Sequence, residues 1–253
     1  MQPARAEGRV HFWHGGGVWI GRATGRTGCH AHHALQLALA LDGTCSFRSD
    51  PAGKWLESRG ALIRPDQRHE FEVSQALVAQ LFVEPETLQG STLLQRFAAG
   101  EITQLPEPQR REMTAILLRA HQEAAPAQAM VAAAQAAIAV LAGPWDTRPA
   151  VDNRVAKAVA YIRANLVGPL PLADVAAAVA LSPGRFRHLF VAETGAAFRA
   201  YVLWLRLNRA VEVAMAGQSW THAAQAAGFA DSAHMTRTFK RMIGMNPATL
   251  VRA

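Results

Sequence analysis

Four side chains toward the end of the chain have the chemistry to read base-pair edges: Arg187, His188, Thr236 and Arg237. An Arg guanidinium bonds guanine in bidentate fashion, and Thr donates, accepts and offers a methyl group to thymine. Arg185, Lys240 and Arg241 stand among them and suit phosphate oxygens, which fix a protein on a duplex without reporting its sequence. The plain alternative for each is a solvated helix face. A second chemical set lies near the start of the chain, where His30, His32 and His69 bring three imidazoles and Gln36 an amide. Three neutral imidazoles can hold a divalent metal. A few such polar groups can equally orient an organic ligand in an apolar pocket, or simply face water. Trp13, Trp19 and Trp55 offer aromatic walls for a pocket, or core.

The elements that must position the first set come as a repeat with a period of 49. Ser182, Phe186, Phe190 and Gly195 correspond to Asp231, Met235, Phe239 and Gly244. Each copy opens with a residue suited to cap a helix N-terminus. Each places two large apolar side chains four apart, on one helical face, and closes on a Gly suited to a helix C-terminus. Short helical stretches precede the copies, at Leu172–Val179 and Trp220–Ala227. Helix, tight turn and capped second helix outline a helix-turn-helix. At 100° per residue Phe186, Leu189 and Phe190 point inward in the first copy, and Met235, Thr238 and Phe239 in the second. Arg187, His188, Thr236, Arg237 and Lys240 then face out. A long helix, about Phe198–Met215, joins the two units, and a capped helix with Val155, Val159, Ile162 and Leu166 on one face precedes them.

Charge supports this placement. The formal net charge is +7, and residues 151–253 carry all of it, with 12 Lys+Arg against 5 Asp+Glu, whereas residues 1–150 hold 14 of each. An excess confined to the half that holds the repeat suits phosphate contact. The length of 253 residues suggests two domains, and 50% hydrophobic content excludes a disordered chain. Two cysteines, Cys29 and Cys45, without a CxxC argue against a disulfide framework or a Cys-rich zinc site and for reduced thiols. The start of the chain lacks the apolar run of a signal peptide. The longest apolar segment, Ala127–Leu141, is too short and too rich in Ala to span a bilayer. A protein of the cytoplasm, without a membrane partner, is expected.

Residues 8–84 read as short strands: Val18–Ile20, Leu35–Leu41, Ser46–Arg48, Ala61–Ile63, Glu70–Val73 and Leu77–Val83, with Asp42-Gly43 as a hairpin turn. Along one of them His30, His32, Gln36, Ala38 and Ala40 share a face, and Leu35, Leu37, Leu39 and Leu41 share the other. Either the Leu face packs on neighbouring structure while the polar face lines a cavity, or the Leu face is the core and the His face is wet. After Pro85 helices are expected at Thr92–Ala99, Pro106–Ala124 and Ala127–Leu141. The last carries a stripe of Val131, Ala134, Ile138 and Leu141, which with Met113, Ile116 and Leu117 could pair two copies of the chain or cover the barrel within one. Gly143–Pro149 reads as the linker.

The last hundred residues resemble the DNA-binding domain of the AraC family of bacterial transcription regulators. The resemblance runs through Ala226-Ala-Gly228-Phe229-Ala-Asp231-Ser-Ala-His234-Met-Thr-Arg237-Thr-Phe239-Lys240-Arg241, Gly244 and Pro247. In the first unit it runs through Leu181-Ser182, Phe186, Leu189-Phe190 and Glu193-Thr-Gly195. The chain departs from the family at Leu250-Val251, where Tyr-Arg is common. His30-x-His32-x3-Gln36-x6-Gly43 and Gly60-x4-Pro65-x3-His69 are similar to the two cupin motifs, with Gln where metal-binding cupins carry Glu and a shortened second motif.

The resemblance implies an α+β protein of two domains. Residues 1–84 would be a cupin-like effector barrel, 85–142 a helical dimerisation region, 143–151 a linker, and 152–253 an all-α domain of two helix-turn-helix units. It implies a one-component regulator, not an enzyme, that acts as an activator on double-stranded promoter DNA, as a homodimer, with RNA polymerase as a further partner. A small-molecule effector would bind among Trp13, His30, His32, Gln36, Trp55 and His69. The alternative is a metal-dependent cupin enzyme or metal sensor fused to a DNA-binding domain, with His30, His32 and His69 as ligands; otherwise no cofactor is expected. An unperturbed His titrates near 6.5, so the cluster is expected to charge below about pH 6.

Overall fold

Alternating apolar residues build the N-terminal half into one curled sheet. In the computed structural model, which describes residues 2–97, 100, 102–146, 148 and 150–253, the strands are β1 (Arg5–Trp13), β2 (Gly16–Arg26), β3 (Leu35–Ala40), β4 (Cys45–Arg48), β5 (Leu56–Ser58), β6 (Gly60–Ile63), β7 (Glu70–Val83), β8 (Thr103–Gln104) and β9 (Leu250–Arg252). The order across the sheet is β8-β6-β3-β7-β2-β1-β9, with β4 between β5 and β7. The long β7 organises it, pairing with β2 on one side and with β3 and β4, end to end, on the other. The two expected strands at 70–73 and 77–83 are thus one. Asp42-Gly43 is not a hairpin turn, because β3 and β4 both pair with β7 and not with each other. The Asp42 carboxylate accepts from Leu77 N at 2.6 Å and bends the chain along β7 instead.

The two faces of the sheet have different fates. Leu35, Leu37, Leu39 and Leu41 pack with Leu77, Leu81 and Val83 beneath three helices. These are α1 (Leu88–Arg96), α2 (Glu107–Gln122) and α3 (Ala127–Ala142). Ala38 and Ala40 lie on the opposite side with Trp19, Phe47, Phe71 and Val78. The first of the two readings of this strand therefore holds. Met113 and Leu117 of α2, and Ala134, Ile138 and Leu141 of α3, are wholly or almost wholly buried in the Leu-face cluster. Most of the stripe expected to pair two copies is thus covered within the subunit, with Val131 and Ile116 half-buried, since an apolar helix face buries against the nearest apolar sheet face. Nor is residue 84 a structural seam, because α1 to α3 share a core with the strands and β8 joins the sheet at β6. The helix expected at Thr92–Ala99 begins earlier, at Leu88, capped by the Thr87 side chain; residues 98 and 99 lie outside the described residues, as do residues 147 and 149 of the linker.

The C-terminal half is helical: α4 (Asn153–Ala164), α5 (Leu172–Ala178), α6 (Pro183–Thr194), α7 (Phe198–Met215), α8 (Trp220–Ala226) and α9 (Ser232–Ile243), then a 3-10 turn at Pro247–Thr249. Its core joins Val155 and Ile162 to Phe186, Phe190, Tyr201, Leu205, Met235 and Phe239. At roughly 1.5–3 kcal/mol for each fully buried large apolar side chain, this core suffices to hold short helices that would be marginal alone. Residues 250–252 then leave the helical unit. Leu250, Val251 and Arg252 pair in parallel with Ala6, Glu7 and Gly8, adding an edge strand to the N-terminal sheet. That strand stands at Leu250-Val251, where the sequence departs from the pattern it resembles. Among the described residues no helix is long and apolar enough to cross a membrane.

Candidate nucleic-acid interface and interdomain pocket

The reading helices form as their caps dictate. Ser182 Oγ accepts from Arg185 N, and Asp231 Oδ1 accepts from His234 N at 2.6 Å, satisfying N–H groups that a helix start leaves open. Gly195 and Gly244 close α6 and α9 in the left-handed conformation, each with φ 75°. Phe186, Phe190, Met235, Thr238 and Phe239 are buried, whereas Leu189 is half-buried. Arg185, Arg187, His188, Arg237, Lys240 and Arg241 are exposed, and Thr236 is half-buried. Both units therefore present their cationic side chains outward. Trp220 of α8 meets Phe239 edge-on at 5.6 Å, which fixes α9 against its partner helix.

A cavity of about 130 Å³ separates this helical unit from the sheet. Val10, Phe12, Trp19, Phe71, Val78 and Phe82 line it from the sheet side. Trp204, Leu207, Asn208 and Val211 line it from α7, at the i, i+3, i+4, i+7 spacing that puts them on one helix face. Phe239 and Ile243 of α9, with Met245 and Leu250, complete the wall. Sequence reasoning expected a pocket inside the barrel and did not single out the α7 stripe that lines this cavity, although its spacing is visible in the sequence. His30, His32, Gln36 and Gln80 form a polar patch in this mainly apolar wall, to which Arg5, Thr24, Thr27 and Asn208 also contribute.

Those histidines do come together with His69. His30 and His69 ring centres lie 4.0 Å apart, and His32 and His69 centres 5.4 Å. His30 and His69 face each other through an isolated antiparallel bridge, so a sheet contact and not one continuous strand assembles the cluster. His32 Nε2 lies 2.8 Å from Gln36 Oε1, and the Gln36 amide donates to Gln80 Oε1 at 2.7 Å. Trp204 stacks on His32 at 5.4 Å. The expected charging of the cluster below pH 6 is corrected by its surroundings. Burial, reinforced by the neighbouring imidazole, lowers His30 to about 3; burial lowers His32 to about 4. His69 is held well below 6.5 by the same causes. All three stay neutral because the charged form would lose its water.

Trp13 and Trp55 do not reach the cavity. Trp13 meets Trp145 edge-on at 5.5 Å on the helix-covered side of the sheet. Trp55 lies under the Arg26 and Arg48 guanidinium groups, at 5.0 and 4.6 Å, where Glu70 also binds both arginines. Trp19, the third of the expected aromatic walls, is in the cavity lining. Both cysteines are free, and burial pushes the Cys45 thiol up to about 12.

Residues 175–253 match a family model described as a helix-turn-helix domain. The C-terminal unit is an AraC-type helix-turn-helix domain. None of the curated proteins matches the chain by sequence. A transcriptional regulator with an AraC-type DNA-binding domain from Chromobacterium violaceum is 29% identical over 38% of this chain and 86% of its own, with a TM-score of 0.36. ToxT from Vibrio cholerae O395 shares the fold of the whole chain: 97% of this chain aligns with 94% of that one at a TM-score of 0.57 and 9% identity. ToxT of Vibrio cholerae strain SCE256 with a bound unsaturated fatty acid aligns over 95% of this chain and 90% of its own, at a TM-score of 0.53 and 9% identity.

The AraC-type domain is bound to the sheet by more than apolar contact. Glu86, after β7, accepts from the Tyr201 hydroxyl of α7 and lies 3.0 Å from His33 Nε2. Glu84 pairs with Arg163 of α4. All but Arg163 are nine-tenths or more buried. Despite its burial, His33 is raised above 6.5 by the Glu86 carboxylate. Glu86 is lowered by His33, against the pull of burial, whereas burial raises Glu84. The C-cap of α9 also touches the sheet side, where Gly28 N donates to Gly244 O at 2.6 Å. A Cβ on Gly244 would stand 2.5 Å from His30 Nδ1. The second reading helix thus ends on the histidine cluster. Sequence reasoning saw none of these contacts, which join residues 53 to 216 positions apart.

Proposed function

We propose that the protein is a one-component transcription regulator that binds promoter DNA in the cytoplasm through α6 and α9, and whose DNA binding responds to a small molecule in the cavity beneath α7 and α9. One observation carries the reading: the cavity is walled by α9, one of the two reading helices, and by α7, which joins the two units, so an occupant bears on both. Its wall is mainly apolar, with His30, His32, Gln36, Gln80 and Asn208 among its polar groups and the cationic Arg5 also in the lining, which suits an elongated apolar molecule with a polar head. The fatty acid bound to ToxT has that form. Action as an activator adds RNA polymerase as a partner.

Oleic acid is the probe for the cavity. It should bind the full chain and shift its affinity for DNA from upstream of its own gene. Leu207→Trp, which fills the cavity, should abolish both effects and leave DNA binding without oleic acid in place. Oleic acid binding that survives Leu207→Trp, or that never alters DNA affinity, would remove the cavity from the regulatory reading.

The reading surface has its own test. Arg237→Ala should cost about 1–3 kcal/mol on the specific site and far less on random DNA, whereas Arg241→Ala should weaken both alike through loss of a phosphate contact. Titrations on both DNAs at fixed salt measure this. Equal losses for Arg237→Ala on the two would remove it from base reading.

A further inference from the structure

We infer that the cavity takes an apolar ligand with ketone or hydroxyl oxygen on its hydrocarbon body, which accepts from the indole N–H groups of Trp19 on the sheet and Trp204 on α7. The inference rests on the proposed regulatory cavity and names the chemistry of its occupant. Both tryptophans line that cavity. Trp19 is 7% exposed and Trp204 2%. Neither Nε1 has a hydrogen-bond partner among the described residues. An indole N–H only donates, and a buried one ordinarily finds an acceptor. Unmet, each carries the cost of its lost solvation.

The other polar side chains of the wall are engaged elsewhere or reach water. Trp19 stands opposite Gln80 in the β2–β7 ladder, but Gln80 Oε1 already accepts from the Gln36 amide. His32, stacked on Trp204, has Gln36 Oε1 at Nε2 and Ala34 O at Nδ1. His30 turns Nδ1 to Gly28 O, which places its proton there and leaves Nε2 a lone pair. The hydroxyls of Thr24 and Thr27 donate to Ser74 O and Phe71 O. Arg5 is exposed and Asn208 half-buried. Among the described lining residues, the buried side-chain donors left over are the two indoles, one on each wall.

Donors of this kind select the ligand's chemistry. A plain hydrocarbon chain fills the space and leaves both N–H groups unmet. A carboxylate set against indoles alone would bury a charge with no counter-charge, which is costly. A ketone or hydroxyl oxygen satisfies an N–H and brings no charge with it. Because Trp19 belongs to β2 and Trp204 to α7, such a ligand is bonded on the sheet side and on the helix that joins the two reading units. It therefore resists separation of α7 from the sheet, which a bare chain does only by packing.

The experiment titrates the full chain with stearic acid and with a set of oxostearic acids whose ketone is moved along the hydrocarbon chain. At least one oxostearic acid should bind about two- to tenfold more tightly than stearic acid, the range that one net hydrogen bond gives. Trp19→Phe and Trp204→Phe each keep an aromatic ring and remove the N–H. Each should reduce that preference, and the double variant should abolish it. Trp13→Phe should leave it unchanged, since the Trp13 N–H also lacks a partner but lies on the helix-covered side of the sheet. A measurement on the unaltered protein guards against misfolded variants: the preferred acid should move the indole N–H proton resonances of Trp19 and Trp204 downfield. Equal affinity across the set, with no such movement, would mean that water meets both groups; the inference would fall and the cavity reading stand. Binding of stearic acid that survives Leu207→Trp, or no binding of any acid in the set, would instead remove the cavity reading and the inference with it.

Discussion

Glu86→Ala should destabilise the protein by about 3–5 kcal/mol, the cost of removing one partner from a buried charged pair. The carboxylate is 6% exposed and holds two buried groups, His33 from the sheet side and Tyr201 from α7. Without it His33 keeps a buried Nε2 with nothing to meet, and the Tyr201 hydroxyl loses its acceptor. Neither group reaches water unless the AraC-type domain lifts from the sheet. Tyr201→Phe removes one donor and leaves the His33–Glu86 pair intact, so it should cost only about 0.5–1.5 kcal/mol, or up to about 3 if the bond to the charged carboxylate is strong. Urea unfolding of the two variants beside the parent measures both. A loss below about 1 kcal/mol for Glu86→Ala would mean that water already reaches the cluster.

Gly244→Ala should cost more than Gly195→Ala, although the two glycines hold the same place in the repeat and share φ 75°. An L side chain in that conformation costs about 1–2 kcal/mol by itself. Around Gly195 nothing lies within 4 Å of an added Cβ, so the conformational cost is the whole effect. At Gly244 the Cβ would stand 2.4 Å from Gly28 O and 2.5 Å from His30 Nδ1. The first obstacle is backbone and the second is a packed ring, so relief requires the end of α9 to back away from the sheet. That movement breaks the Gly28–Gly244 hydrogen bond and opens the cavity wall at Ile243 and Met245. Thermal unfolding should therefore place Gly244→Ala clearly below Gly195→Ala. On the proposed function, Gly244→Ala should also lose the response of DNA binding to oleic acid, while Gly195→Ala keeps it. Equal stability losses would show that the contact between α9 and the sheet carries no energy.

Much of the reading surface is legible in the amino-acid sequence. Ser182, Asp231, Gly195 and Gly244 mark helix ends through bonds that close within three or four residues, and the spacing of Phe186 with Phe190 and of Met235 with Phe239 sets the inward face. Such signals are local, so α6, α7 and α9 stand where the sequence puts them. The alternation at Leu35–Leu41 likewise separates the helix-covered face from the polar one, since pleating alone decides it. Even the histidine cluster can be named from its residues, though its neutrality cannot, because depressed basicity comes from walls supplied by other parts of the chain.

The reading helices, their outward cations and their capped, repeated architecture thus follow from the order of residues alone. Where the two halves meet follows only from the folded chain. Folding spends the α3 stripe on the sheet instead of on a second copy, and takes Trp13 and Trp55 away from the cavity. It joins Leu250–Arg252 to β1 and closes the cavity with α7 and α9. Helix caps and periodicity act over a turn or two, so they are written in neighbouring residues. The cavity wall runs from Ala4 to Leu250, and its pairing depends on which apolar faces remain uncovered once the local elements have formed.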